Sequence, residues 1–244
     1  MSTYVMSDIH GNARRFQSVM EQIKLQPEDT LYILGDVIDR FPDGIRILRQ
    51  LMKMPNVKML LGNHEHMMLD ALGEPYRGLS DERGTDYMMR LWYRNGGDVT
   101  HDYWKRIRKD VRREVLDYLH SLPLEYRISV HGMDYRLVHG APEELYERHG
   151  HRHANKEQFA VWKRWERYAF PKTSYIMVFG HTPTNEYDSA CPMEIWYDEN
   201  KIGIDCGSGW PDDPEDFYYG FGRLACLRLE DAKEFYSEEP NNKR

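Results

Sequence analysis

Apolar residues along this chain fall alternately into short runs and helix-spaced stripes. Tyr4 to Ser7 is strand-like; Phe16, Val19, Met20 and Ile23 then recur at the spacing of one buried helix face. Leu31 to Leu34 makes a second run, Ile45, Leu48 and Leu51 mark a second helix, and Val57 to Leu61 is a third strand. An opening order β-α-β-α-β predicts an α/β fold built in layers. The polar and aromatic stretch from Glu65 to Leu122 reads mostly as helix, interrupted from Gly73 to Gly84, with Tyr87, Trp92, Tyr93, Tyr103 and Trp104 in a cap on the sheet. Beyond it strands dominate: Leu124 to Val130, Asp134 to Val138, Tyr175 to Phe179, Lys201 to Ile204 and Arg223 to Leu229. One helix, about Asn155 to Arg167, sits among them. With no repeat and no linker, residues 1–236 are expected to form a single domain and residues 237–244 a loose, charged tail.

The residues that follow the runs carry the chemistry. Tyr4 to Ser7 leads into Asp8, Tyr32 to Gly35 into Asp36, Lys58 to Gly62 into Asn63 and His64, Arg136 to Val138 into His139, and Ile176 to Gly180 into His181. Singly, each fits a turn, a helix cap or a buried core histidine. Their recurrence points instead to one cluster, because ligands of open α/β sheets collect outside the carboxyl ends of the strands. Gly11, Gly35, Gly62, Gly140 and Gly180 stand beside them and allow sharp exits from the sheet.

Composition narrows the partners. The 244 residues are 41% hydrophobic, enough for one sizeable core, and carry a formal net charge of -7. Such a balance argues against bulk nucleic-acid binding, which depends on neutralising phosphates with Lys and Arg. An anionic substrate therefore needs a local source of positive charge. No run is long enough to cross a bilayer, and Met1 to Asp8 lacks the basic and apolar parts of a secretory signal, so a cytoplasmic protein is expected. The three cysteines, Cys191, Cys206 and Cys226, are odd in number and widely spaced, which suits reduced thiols.

The donor types supply that charge. Asp8, His10, Asp36, Asn63, His139 and His181 offer carboxylates, imidazoles and an amide without a thiolate, a set suited to Mn, Fe or Zn. Six donors exceed what one catalytic ion with open positions needs, and they suit two divalent ions sharing a carboxylate. Such a pair holds a hydroxide nucleophile and clamps phosphoryl oxygens for in-line displacement. Two carboxylates leave it net positive inside an acidic protein.

Five motifs in succession then resemble a known family. Asp8-Ile9-His10-Gly11, Gly35-Asp36-Val37-Ile38-Asp39-Arg40, Gly62-Asn63-His64-Glu65, His139-Gly140 and Gly180-His181-Thr182 are similar to the signatures of the calcineurin-like metallophosphoesterases. Within that family they resemble the phosphoprotein phosphatase branch and its small bacterial and phage members. The resemblance implies a two-sheet β-sandwich flanked by helices, with metals at the strand-end loops. It implies that Asp8, His10 and the bridging Asp36 hold one metal, and that Asp36, Asn63, His139 and His181 hold the other. It makes His64 the catalytic histidine paired with Asp39, and Arg40 the phosphate clamp. Trp162-Lys163-Arg164 matches the pattern of a second phosphate-binding arginine, on the helix predicted there. Phe41 stands where the family has Gly, beside Arg40 and placed to alter substrate preference; Ser7 also replaces a usual Gly.

Three functions follow as expectations. The favoured one is a manganese-dependent phosphomonoesterase acting on phosphoserine and phosphothreonine in proteins and on small aryl phosphates. The same motifs support hydrolysis of dinucleoside polyphosphates. A non-catalytic, metal-bound scaffold is the third, opposed by the presence of His64, Asp39 and Arg40. Arg148 to His153 reads as an exposed loop rather than a metal site, Cys206 as an inert buried group, and Trp210 to Arg223 as a substrate-facing loop.

Overall fold

The computed structural model describes residues 1–72, 85–188, 190–191, 193–211 and 222–238. Within them the opening is β1 (Thr3–Met6), α1 (Ala13–Ile23), β2 (Thr30–Ile33), α2 (Gly44–Leu51), β3 (Val57–Met59) and α3 (Asn63–Ala71), in the order the apolar pattern predicts. Three helices follow, α4 (Thr85–Arg94), α5 (Asp98–Trp104) and α6 (Lys109–Ser121). The expected interruption at Gly73 to Gly84, most of the loop expected from Trp210 to Arg223 and the end of the expected tail lie outside the described residues. Next come β4 (Glu125–Val130), β5 (Met133–Val138), α7 (Tyr146–His149), α8 (Lys156–Trp162), β6 (Ile176–Phe179), β7 (Trp196–Asp198), β8 (Lys201–Gly203), β9 (Ala225–Arg228) and β10 (Lys233–Tyr236). Short edge strands β7 and β10 are additions to the sequence reading. Helix α8 ends at Trp162, so Arg164 lies in the loop after it and not on the expected helix. Helical pairing stops there because the Trp162 carbonyl faces His181 and the Ala160 carbonyl accepts from the amides of Gly140 and Ala141.

The strands form two five-stranded sheets, β10-β9-β1-β2-β3 and β4-β5-β6-β8-β7. Strands β1, β2 and β3 run parallel to one another, as do β5, β6 and β8. Alternation along each strand makes the layers. Val5, Tyr32, Ala225 and Leu227 of the first sheet and Leu137, Val178 and Ile202 of the second share a core between the sheets. Their neighbours Tyr4, Met6, Leu31 and Ile33 face the other way, onto Phe16, Val19, Ile23, Ile45, Leu48 and Trp92 of the helices. Val138, Met177 and Phe179 likewise pack outward on Phe159 and Trp165. The result is helix, sheet, sheet, helix, the sandwich that the motifs imply. Ser237, placed by sequence at the start of a loose tail, is buried and closes a two-way bond with Leu224.

Candidate metal centre

The parallel strands supply the site. Asp8 and His10 follow β1, Asp36 and Asp39 follow β2, Asn63 and His64 open α3 after β3, His139 follows β5, and His181 follows β6. Backbone bonds hold the loops in register: the amides of Asp8, His10 and Gly11 donate to the carbonyls of Gly35, Asp36 and Val37, at 3.1, 2.9 and 2.7 Å, and Gly180 donates to His139 at 3.0 Å. Asp8, His10, Asp36, Asp39, Arg40 and His181 all take positive φ, between 51 and 72°. That region is uncommon for side-chain-bearing residues and costs free energy, so the fold over-determines these turns at the one place where the expected site lies.

Three imidazoles are oriented by the main chain. Nδ1 of His10 lies 3.1 Å from the Ile38 carbonyl, Nδ1 of His139 2.7 Å from that of Leu34, and Nε2 of His181 3.2 Å from that of Trp162. Each ring donates there through N–H, which leaves the opposite nitrogen as a lone pair turned inward. Burial pushes all three below the ordinary histidine range, most strongly His10 and His181, so they stand neutral, the form that binds metal. Nε2 of His139 then meets Oδ1 of Asn63 at 2.9 Å, one acceptor facing another. A cation relieves such a contact, and the donor set fits one.

Asp36 joins two groups. His10, Asp36 and His64 present ligand atoms mutually within 4.8 Å, and so do Asp36, His139 and His181. Asp36 Oδ2 is 3.8 Å from Nε2 of both His10 and His64, and Oδ1 is 3.5 Å from Nε2 of His139. Asp8 approaches His10 Nε2 at 3.8 Å through Oδ1, while its Oδ2 accepts from Ser7 Oγ at 2.5 Å and from the His181 amide at 3.0 Å. The Ser7 hydroxyl thus fixes the second Asp8 oxygen, and a Cβ on Gly180 would sit 2.3 Å from it, which is why the chain has glycine there. Burial raises Asp36 well above the ordinary carboxylate range, a state that two adjacent cations would reverse.

Two contributors were not assigned by sequence. Glu65, fully buried, accepts from the amides of Asp36, Val37, Ile38 and Gly62 at 2.9, 2.8, 3.3 and 3.2 Å, tying the β2 loop to the start of α3. Its signal was present as a glutamate at the third position of a helix, half of a capping box. Trp92, also fully buried, donates from Nε1 to Asp39 Oδ2 at 2.8 Å, and that same oxygen lies 2.7 Å from His64 Nδ1. In sequence it is one more apolar helix position.

Arg40 stands next to His64, its Nη2 3.4 Å from Nε2. Gly209 packs on its other side: a Cβ there would lie 2.6 Å from Arg40 Nη1 and 2.5 Å from His10 Cδ2. Arg15 holds that loop from beneath, donating to the carbonyls of Ser208 and Trp210 at 2.6 and 2.9 Å. Arg164 is farther out, half exposed and paired with Glu186 at 3.3 Å, yet near enough for its charge to contribute to the depression of His181. The aromatic cap is confirmed in part: Trp92 and Trp104 are buried, whereas Tyr93 is exposed. In the loop read as exposed, His149 and His153 pack on Trp165 and Phe159. The three cysteines are unpaired; Cys206 is buried and its thiol pushed well up by burial. No described helix is long and apolar enough to cross a membrane.

Fold and site together define a phosphoesterase with a cluster built for divalent metal. The chain belongs to the calcineurin-like phosphoesterases, whose sequence profile matches residues 1–217. It is 36% identical over 90 residues to the symmetrical bis(5'-nucleosyl)-tetraphosphatase of Erwinia tasmaniensis, covering 36% of this chain and 33% of that protein. The enzyme of the same name from Pectobacterium atrosepticum is 35% identical over 93 residues, covering 37% and 32%. The chain thus spans about a third of the length of these curated relatives. Its fold is similar to a crystal structure provisionally assigned as a diadenosine tetraphosphatase, with TM-score 0.60, 18% identity and coverage of 99% and 95%. It is also similar to a yeast protein serine/threonine phosphatase, with TM-score 0.56, 12% identity and coverage of 99% and 82%.

Proposed function

We propose that this chain hydrolyses dinucleoside polyphosphates of the diadenosine tetraphosphate type, with Asp8, His10 and Asp36 holding one divalent ion and Asp36, Asn63, His139 and His181 a second. Asp36 is common to a group with His10 and His64 and to another with His139 and His181, and Asp8 Oδ1 approaches His10 at 3.8 Å; a carboxylate common to both groups supports the two-ion reading. The substrate class rests on the relatives, which carry the tetraphosphatase name at 35–36% identity over a third of the chain, and it displaces the phosphoprotein reading favoured by the motifs alone. Bound divalent ions would supply Lewis acidity, acidifying water and neutralising phosphoryl charge.

The side chains do the rest. Arg40 presents a planar, permanently charged donor to phosphoryl oxygens. Burial first, with the charge of Arg40 contributing, holds His64 down to about 4. An anion on Arg40 offsets that contribution, so His64 Nε2 gains proton affinity as substrate binds, takes up a proton from solvent and delivers it to the leaving oxygen. Asp39, fixed by Trp92, keeps the ring aimed. The test is a comparison of kcat/KM for diadenosine tetraphosphate and a phosphoserine peptide with the Mn-loaded protein. Preference for the dinucleotide supports the proposal; preference for the peptide returns the phosphoprotein reading. Turnover of neither, nor of p-nitrophenyl phosphate, returns the scaffold.

A further inference from the structure

Beside the metal cluster lies a second concavity. A groove of about 500 Å³ has Arg40, Phe41, Arg94 and Trp210 in its lining, together with Gly96 and Gly209. Its volume falls within the roughly 300–1,000 Å³ of small-molecule sites. Arg40 belongs to both places: one edge of its guanidinium meets His64, and its stem and other edge rest on Gly96 and Gly209 of the groove. Phosphates held by Arg40 therefore have a continuous path out of the centre. Along that path stand a further cation, Arg94, exposed and without a hydrogen bond or ion pair among the described residues, and two half-buried aromatic side chains, Phe41 and Trp210.

We infer that this groove is a nucleoside subsite, in which Phe41 and Trp210 receive a base and Arg94 a phosphate beyond the one held by Arg40. The assignment rests on the dinucleoside polyphosphate reading for the identity of the ligand and on the groove for its place. A phosphoryl group alone needs neither aromatic, and a cation placed in the groove beyond Arg40 suits a ligand that carries further phosphates. Aromatic faces bind any base by stacking, so the subsite is expected to discriminate little among bases.

Equilibrium binding to the Mn-loaded protein, with ADP and inorganic pyrophosphate as probes at matched free Mn, isolates the nucleoside. Phe41→Ala and Trp210→Ala are each expected to weaken ADP about tenfold relative to pyrophosphate, and Phe41→Tyr to restore the affinity. Arg94→Ala should weaken both probes alike. Equal weakening of both probes in the aromatic variants, or no change in either, overturns the subsite. If the wild type fails to cleave diadenosine tetraphosphate while ADP binding still depends on Phe41 and Trp210, the substrate reading falls and the subsite stands. If it cleaves the dinucleotide while ADP binding is indifferent to both aromatics, the substrate reading stands and the subsite falls.

Discussion

His64 is held between opposing demands. Its contact with Asp39 favours a charged ring, whereas burial pushes the imidazole down to about 4 and Asp39 up to about 7, so Nε2 becomes a proton donor only when a bound anion raises its proton affinity. A donor of this kind matters most where the leaving oxygen is strongly basic. His64→Ala is therefore expected to slow hydrolysis of a phosphoserine peptide by about 10²- to 10⁴-fold and that of p-nitrophenyl phosphate far less, at matched metal content and with chemistry limiting. Equal losses on both would make His64 a positioning residue. Gly209 offers a test of a different kind, since its Cα leaves no room for a methyl group between His10 and Arg40. Gly209→Ala should displace both side chains by a good fraction of an ångström and lower kcat/KM by about 100-fold, with the fold intact by circular dichroism. Near-normal turnover would show that the loop yields and that its close approach is incidental.

Among the elements, α3 does more than pack. Its first turn carries Asn63 and His64, and Glu65 in that turn collects four amides, three of them from the β2 loop. Glu65→Gln replaces one acceptor oxygen with a donor that faces those amides, and unmatched buried groups cost about 1–3 kcal/mol each. The variant should lose stability of that order in urea unfolding and bind Mn more weakly; unchanged values for both would remove Glu65 from the site's scaffold. The convergence of these side chains was legible in sequence because the parallel strands are apolar runs that end abruptly in a polar residue, as Ile176 to Phe179 does before Gly180 and His181. Strand β10 was not legible because an edge strand with one partner tolerates Lys233 and Glu234, and β7 has only three residues. Trp92 and the exit of Arg164 from α8 depend on tertiary bonds, to Asp39 and from His181, that no local pattern encodes.

At the scale of the whole molecule, two parallel strand triplets deliver acid and imidazole groups into one buried centre, and the fold must carry them with or without metal. The carboxyl groups and the histidines respond to pH in opposite directions. Burial raises Asp39 to about 7 and Asp205 to about 8, so between about pH 4 and pH 8 the folded chain holds protons that the unfolded chain has released. The stability they contribute is full below the ordinary carboxyl range and is lost as pH rises through 7 to 8. Buried His10, His64, His139 and His181 are lowered, so they weaken the fold only below about pH 6.5. Above that point the carboxyl groups act alone, and the Tm of chelator-treated protein should fall steadily from pH 6.5 to 8.5. Bound Mn should counter the fall, because cations favour the ionised carboxylates and deprotonated ligands bind metal more tightly as pH rises. The gap between the Tm of Mn-loaded and metal-free protein is thus expected to widen across this window. Asp205→Asn should flatten the decline of the metal-free form, since it removes a carboxyl group that titrates within this window. A gap that stays constant, or a metal-free Tm that rises toward pH 8.5, would mean that these carboxyl groups are ionised at rest and that another cation already serves them.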